Sequence, residues 1–274
     1  MNDRLDPSVF LHLAQALAEG QSRTVHGCCG GKKLVVDHKR DGWGAYCYRC
    51  SGRGWVPKPP ESLAQRIARL GARNAEEAVV RASLDLPTPA NNDPSTWPLV
   101  ARVWLYKVGF SNDDIVNLGF FYHERTKRVV MPSLNEGNLV YWQARGFDPE
   151  FAKYINPPVN PKPVAKYGSG PVLVLNEDML SAAKVGMVTE AWSLLGTKIS
   201  TASVAEIIGL RKPVVIWLDP DDAGRKGSVA VYKALTAGGV QTRVVRTDQD
   251  PKLHSKKEIK HILGLDGPPV AASS

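Results

Sequence analysis

All four cysteines of this chain fall in one short stretch, as His26-Gly27-Cys28-Cys29 followed by Cys47-Tyr48-Arg49-Cys50. Thiolate and imidazole donors in two clusters closing a short loop suit a tetrahedral structural zinc. Cys47 and Cys50 give one ligand pair. The other pair is His26 with Cys28 or His26 with Cys29, because adjacent cysteines make a poor pair. The choice between Cys28 and Cys29 stays open. A redox reading of Cys47 and Cys50 lacks the βαβ pattern that such a pair requires. A unit this small cannot fold on apolar burial alone, so zinc binding would be part of its folding energy. Its charged and aromatic residues interleave, from Lys39 and Arg40 through Trp43, Tyr46 and Tyr48 to Arg49 and Arg53. Rings stack on unpaired bases while cations follow the backbone, which marks Lys39, Trp43 and Arg49 as candidate contacts to a single strand.

A second set of reactive side chains is acidic. Glu177 and Asp178 follow one apolar run, and Asp219-Pro220-Asp221-Asp222-Ala223-Gly224 follows another. Alternate carboxylates in an extended turn face one cavity, where they repel unless a cation lies between them. Hard oxygen donors favour Mg²⁺ or Mn²⁺, ions that neutralise phosphate and activate a hydroxyl for in-line attack. Glu177, Asp219 and Asp221 are the candidate catalytic and metal-binding set, with Asp222 read as a helix cap. Arg225 supplies a phosphate-binding group beside them, and Asp250 and Lys252 complete the rim.

The elements that would carry these groups are legible from periodicity. An amphipathic helix covers 8–20, and strands are expected at 34–37 and 44–48. Pro57, Pro59 and Pro60 mark an exit into a basic helix near 61–70, and the Pro/Asn/Asp-rich stretch 87–98 reads as flexible or irregular. A helix-turn-helix and a hairpin turning at 135–138 follow. From residue 171 onward, strands at 172–175, 187–192, 214–218 and 240–246 alternate with helices, the pattern of a parallel α/β sheet. Functional residues then sit beyond the C-terminal strand ends. The formal net charge of +8 fits a polyanionic partner. No run approaches the roughly 20 apolar residues of a membrane span, and no leader is evident, so the expected location is the cytoplasm, that of a bacterial host if the chain is phage-encoded.

Taken together, Glu177, the Asp219-x-Asp221 pair within LDPDDAGRKG, Asp250 within DPK and the LGT at 195–197 resemble the toprim domain, and the N-terminal zinc unit makes the whole similar to bacteriophage and bacterial primases. The segment RVVMPSLNEGNLVYWQARGF with KYINPP resembles the basic subdomain that precedes toprim in that family. The resemblance implies a multidomain α/β protein. It would comprise a zinc-ribbon-like β domain (1–57), a helix and flexible linker (58–98), an α+β basic subdomain (99–167), a toprim domain with a parallel four-stranded core sheet and flanking helices (168–265), and a flexible tail (266–274). It implies synthesis of short RNA primers from ribonucleoside triphosphates on a single-stranded DNA template for phage replication, with structural zinc and catalytic Mg²⁺ or Mn²⁺. Arg145, Lys153 and Tyr154, joined by Arg128, would lie near nucleotide and template. The family's toprim Glu is often followed by Gly, whereas Asp178 follows it here, and the zinc ligands begin with His, with Cys28 rather than Cys29 aligning with the family's next ligand position. No Walker-type phosphate loop occurs, so a separate replicative helicase is the expected partner. The rival readings are a toprim nuclease and a non-catalytic zinc-bearing single-strand-binding protein.

Overall fold

The computed structural model describes residues 4–266. Beyond Asp266, the expected C-terminal tail lies outside the described residues. Three sheets succeed one another along the chain. The first unit opens with α1 (Pro7–Gln15), which starts on Asp6 accepting the Ser8 N–H and carries Pro at its first turn. Strands β1 (Ser22–His26), β2 (Lys32–His38), β3 (Gly42–Cys47) and β4 (Arg53–Pro57) then form an antiparallel meander. Alternation along β2 and β3 sends Leu34, Val36, Ala45 and Cys47 inward against Phe10 and Ala14 of α1. At Gly54, β4 has no room for a side chain beneath α1, since a Cβ there would lie 2.3 Å from the Phe10 ring.

Helix α2 (Leu63–Val80) opens with a capping box between Ser62 and Gln65. It runs well past the expected end near residue 70, because its far half is anchored by charge. Arg73 and Glu77 are buried, while Leu63 and Ile67 face solvent. Glu77 accepts from Arg128 at 2.7 Å and 3.0 Å, and Arg128, fully buried, also donates to the Ala152 carbonyl at 2.8 Å. The 87–98 stretch is irregular but built in. Trp97 is fully buried and donates to the Asn91 carbonyl at 3.0 Å.

Helices α3 (Leu99–Tyr106) and α4 (Asn112–Asn117) precede a second antiparallel sheet of β5 (Phe121–His123), β6 (Arg128–Asn135), β7 (Asn138–Gly146) and β8 (Tyr154–Ile155). The β6–β7 turn places Glu136 and Gly137 at positive φ, as a two-residue hairpin turn requires.

The third sheet adds β9 (Ala165–Tyr167), β10 (Leu173–Asn176), β11 (Glu190–Ser193), β12 (Val214–Ile216) and β13 (Thr242–Val244), in the order β13-β12-β10-β11-β9. Its four parallel strands are those expected from the sequence. The antiparallel edge strand β9 is an addition, short enough to have no periodicity of its own. Helices α5 (Met179–Gly186), α6 (Thr201–Leu210), α7 (Asp222–Ala237) and α8 (Lys256–Leu263) flank this sheet. Met179, Leu180 and Ala183 of α5 pack into the same core as Trp97, Phe110, Tyr122 and Tyr141, so the second and third sheets share one interior. Lys184 reinforces that union from a nearly buried position, donating to the Val108 carbonyl at 2.6 Å. None of the described helices is long and apolar enough to cross a membrane.

Removing Glu77 leaves Arg128 charged, buried and short of its carboxylate. Glu77→Ala is expected to cost about 3–5 kcal/mol in urea unfolding. The double variant Glu77→Leu/Arg128→Met should recover most of it. Equal loss in the single and double variants would show that the pair contributes no special interaction.

Candidate metal and nucleotidyl-transfer sites

Donor atoms from all four cysteines, Cys28, Cys29, Cys47 and Cys50, lie within 4.8 Å of one another. The Cys28 Sγ stands 3.6 Å from the Sγ atoms of both Cys29 and Cys50. A tetrahedron with Zn–S bonds of about 2.3 Å sets its sulfurs about 3.8 Å apart, so the donor set fits zinc. His26, the expected fourth ligand, is exposed and outside the cluster, and Cys29 stands in its place. The reason is local. The β1–β2 pairing shifts register between Val25 and His26, and Gly30 and Gly31 both adopt positive φ, folding the turn so that two adjacent thiols reach one point. Backbone N–H groups of Cys50 and Arg49 lower the Cys47 thiol to about 7, whereas burial and the neighbouring thiols push Cys28 up to about 12.

The outer face of the same sheet carries Tyr46 and Arg53 in cross-strand register, then Asp37, Gly44 and Trp55. Tyr48 is 70% exposed, Arg53 lies over the Tyr46 ring, and Lys39 lies over Trp55 at 5.5 Å. Two expected contacts sit elsewhere. Trp43 is on the inner side, half-buried between His38 and Lys58, and Arg49 braces the metal turn by donating to the Cys29 carbonyl at 2.7 Å. Trp55 was missed by sequence reasoning, although alternation in RGWVP was the available signal.

At the C-terminal edge of the third sheet, Glu177 follows β10 and Asp219 follows β12, its immediate neighbour. The strand ends are tied together by the Asn176 side chain, which donates to the Trp217 carbonyl at 3.0 Å. Oε2 of Glu177 and Oδ1 of Asp219 are buried and have no hydrogen-bond partner. Burial, then the nearby Asp221 and Asp178, push Glu177 above the usual carboxylate range. Burial drives Asp219 up to about 7, against the pull of Lys252. Orphaned, desolvated carboxylate oxygens are donors that a hard divalent ion would satisfy.

Asp221, not Asp222, caps α7. Its Oδ1 accepts the Gly224 N–H at 2.8 Å, while Asp222 is exposed and paired with Arg225. Either aspartate suits a cap by type, so the one-residue offset was invisible in the sequence. Gly224 and Gly227 bring α7 close, since Cβ atoms there would lie 2.1 Å from the Asp219 carbonyl oxygen and 2.6 Å from Thr197 Cβ. Asp178 caps α5 and receives Lys252 at 3.0 Å, and Lys252 also meets Asp250 at 2.6 Å. Burial opposes the Lys252 charge, yet these carboxylates hold it above the ordinary lysine range.

From the second sheet, Arg145 faces the same region, its guanidinium 5.1 Å from the Tyr154 ring and also over Trp104 and Phe147. Its Nε and Nη1 are buried without partners. Tyr154 is raised chiefly by burial, against the pull of Arg145 and Lys252 and with a further push from Asp178. Lys153 is exposed, with its Nζ 5.8 Å from the Tyr154 ring. Arg128 does not belong there. It is the buried partner of Glu77, a role that a lone arginine in a strand does not advertise. A cavity of about 370 Å³ beside Asp219 is lined by Arg225 and, unexpectedly, Arg246.

Residues 177–253 match the Toprim-like family. The chain has a primase-type fold. It aligns with the zinc-binding and RNA polymerase domains of Aquifex aeolicus primase at TM-score 0.51 and 14% identity, covering 97% of this chain and 84% of that one. A DnaG primase catalytic domain bound to ssDNA aligns at TM-score 0.50 and 16% identity, over 74% of this chain and 80% of that one. The E. coli primase catalytic core aligns at 0.50 and 16%, over 71% and 76%. No curated protein matches by sequence.

Two outcomes follow for the primase-like chain. Elemental analysis should find one zinc per chain, lost in Cys29→Ala and kept in His26→Ala; the reverse pattern would restore the histidine ligand. Asp219 has a raised folded-state pKa, so its negative charge destabilises the metal-free fold as pH rises from about 4 through about 7. Asp219→Asn should therefore stabilise metal-free protein at pH 8 by roughly 1–2 kcal/mol, less than full linkage because the group is partly exposed. At about pH 3, below both the unfolded and the folded pKa, thermal melts of the two proteins should coincide.

Proposed function

We propose that this protein is a DNA primase, synthesising short RNA primers on single-stranded DNA by divalent-metal-dependent nucleotidyl transfer, in phage or bacterial replication. The observation that carries the reading is the pair of orphaned carboxylate oxygens on Glu177 and Asp219, accompanied by the partnerless guanidinium edge of Arg145 on the second sheet. Acid and base edges that neither hydrogen-bond nor neutralise each other suit a ligand carrying both metal and phosphate. Glu177, Asp219 and Asp221, with Asp250 at the rim, would hold Mg²⁺ or Mn²⁺. When bound, such ions lower the pKa of an attacking hydroxyl and offset charge on the leaving pyrophosphate.

The remaining work falls to the chain itself. Arg145 is held by three rings, which fixes its donors for phosphate oxygens without spending their hydrogen bonds. The exposed Lys153 and Arg225 would meet a triphosphate, and Tyr154 would offer its ring beside Lys153. Lys252 sits between Asp178 and Asp250, where it neutralises surplus carboxylate until substrate phosphate competes for it. The outer face of the zinc unit, with Tyr46, Tyr48, Trp55, Lys39 and Arg53, is suited to a single-stranded template. Strand separation would come from a helicase partner.

Asn caps a helix as well as Asp does, so Asp221→Asn removes charge with little effect on α7. Asp221→Asn and Asp219→Asn should each lower ribonucleotide incorporation on single-stranded template by at least about 100-fold, with template affinity unchanged. Asp222→Asn should stay within a few-fold of wild type. Near-normal primer synthesis by folded Asp219→Asn would remove the catalytic reading.

A further inference from the structure

The zinc unit and the rest of the chain have separate apolar interiors. Its cluster contains only residues between Leu5 and Val56, and the other clusters begin at Val80 or beyond. The Leu99 N–H donates to the Gly20 carbonyl at 2.9 Å, Gln21 reaches the Thr96 carbonyl, and Gly20 abuts Pro98. Ion pairs also cross between the units. Arg40, in the turn between β2 and β3, meets Glu150 at 2.7 Å, Glu61 at 3.5 Å and Asp148 at 3.7 Å. Glu19 bridges Lys58 of its own unit and Lys127 of the core. A groove of about 1130 Å³ runs between the units, lined by Arg40, Lys58, Arg69, Arg73 and Lys127.

The two sides of the Arg40 contact are not equivalent. Glu150 keeps Arg66 at 2.6 Å and Arg69 at 2.9 Å from its own side, and Asp148 keeps Arg73 at 3.2 Å. These carboxylates remain neutralised when Arg40 leaves. Arg40, by contrast, has among the described residues only the three acidic partners, which surround its guanidinium as phosphates would. It adjoins Lys39, which covers Trp55 on the proposed strand-binding face. We infer that Arg40 is an exchangeable latch: it docks the zinc unit on Glu150, Asp148 and Glu61, and the phosphate backbone of a single-stranded nucleic acid takes their place, releasing the unit. The polyanion named here rests on the primase reading, whereas the ionic docking does not.

The readout is amide hydrogen exchange at Leu99, whose N–H bonds across the boundary, measured on full-length zinc-loaded protein. At about 50 mM NaCl the wild-type amide should be protected. Saturating oligo(dT), with binding followed by anisotropy, should speed its exchange at least tenfold, and so should 500 mM NaCl. Arg40→Glu and, from the core side, Glu150→Arg should exchange fast without DNA, while Lys39→Glu, whose partner Asp37 is in its own unit, should not. Zinc content reports that the variants fold. If Arg40→Glu does not retain zinc, Glu150→Arg alone decides, since it leaves the zinc unit intact. Unchanged Leu99 protection in the zinc-loaded variants, oligo(dT) binding that leaves Leu99 protected, or no binding of oligo(dT) overturns the latch. Exchange that behaves as expected in a protein making no primers would sink the enzyme reading and leave the latch standing.

Discussion

Desolvated negative charge at the ends of two adjacent parallel strands is the constraint around which the catalytic half is built. Glu177 and Asp219 follow β10 and β12, and backbone and helix cover them tightly enough to leave one oxygen of each without a partner. The cover depends on side chains that are not there. Gly224 lets α7 rest on the Asp219 carbonyl, and Gly227 lets it rest on Thr197. Lys252 limits the repulsion from below through Asp178 and Asp250. The arrangement costs stability in the absence of a cation, which is the usual relation between an active centre and its scaffold.

Charge is handled differently in the N-terminal half. The ion-pair chain from Arg40 through Asp148, Arg73 and Glu77 to Arg128, with Glu150 and Arg69 beside its outer end, passes from exposed surface to full burial. At its buried end the pair fixes α2 against β6, because neither partner can be hydrated. Three arginines, Arg69 foremost and then Arg40 and Arg66, hold the Glu150 carboxyl down at about 2. That exposed end is salt-sensitive, as screening predicts.

The parallel sheet was legible because its strands are continuous apolar runs separated by capped helices, a pattern set by burial on both faces. The acidic positions followed from that sheet, since strand ends are where such sheets expose their functional edge. Spacing also sufficed for Cys47 and Cys50. It left Cys28 and Cys29 as alternatives beside His26, whereas the turn brings in both thiols, because that depends on the φ angles of Gly30 and Gly31. Arg128 was expected beside nucleotide and template because its partner Glu77 is distant in sequence. Trp43 was placed on the strand-binding face and Trp55 overlooked for a related reason: strand parity needs a register, and the register is set by the pairing of β2, β3 and β4.

The shared interior of the second and third sheets bears on where this chain can be divided. The expected boundary near residue 168 follows a real change of topology, but α5 places Met179, Leu180 and Ala183 on one side of it against Phe110, Phe120 and Tyr141 on the other. Lys184 crosses the same line to the Val108 carbonyl. The Toprim-like segment is therefore not an excisable module in this protein. Cut free, it would carry an exposed apolar flank and a lysine stripped of its carbonyl cradle. The natural seam lies nearer the N-terminus, where the two sides meet through charge.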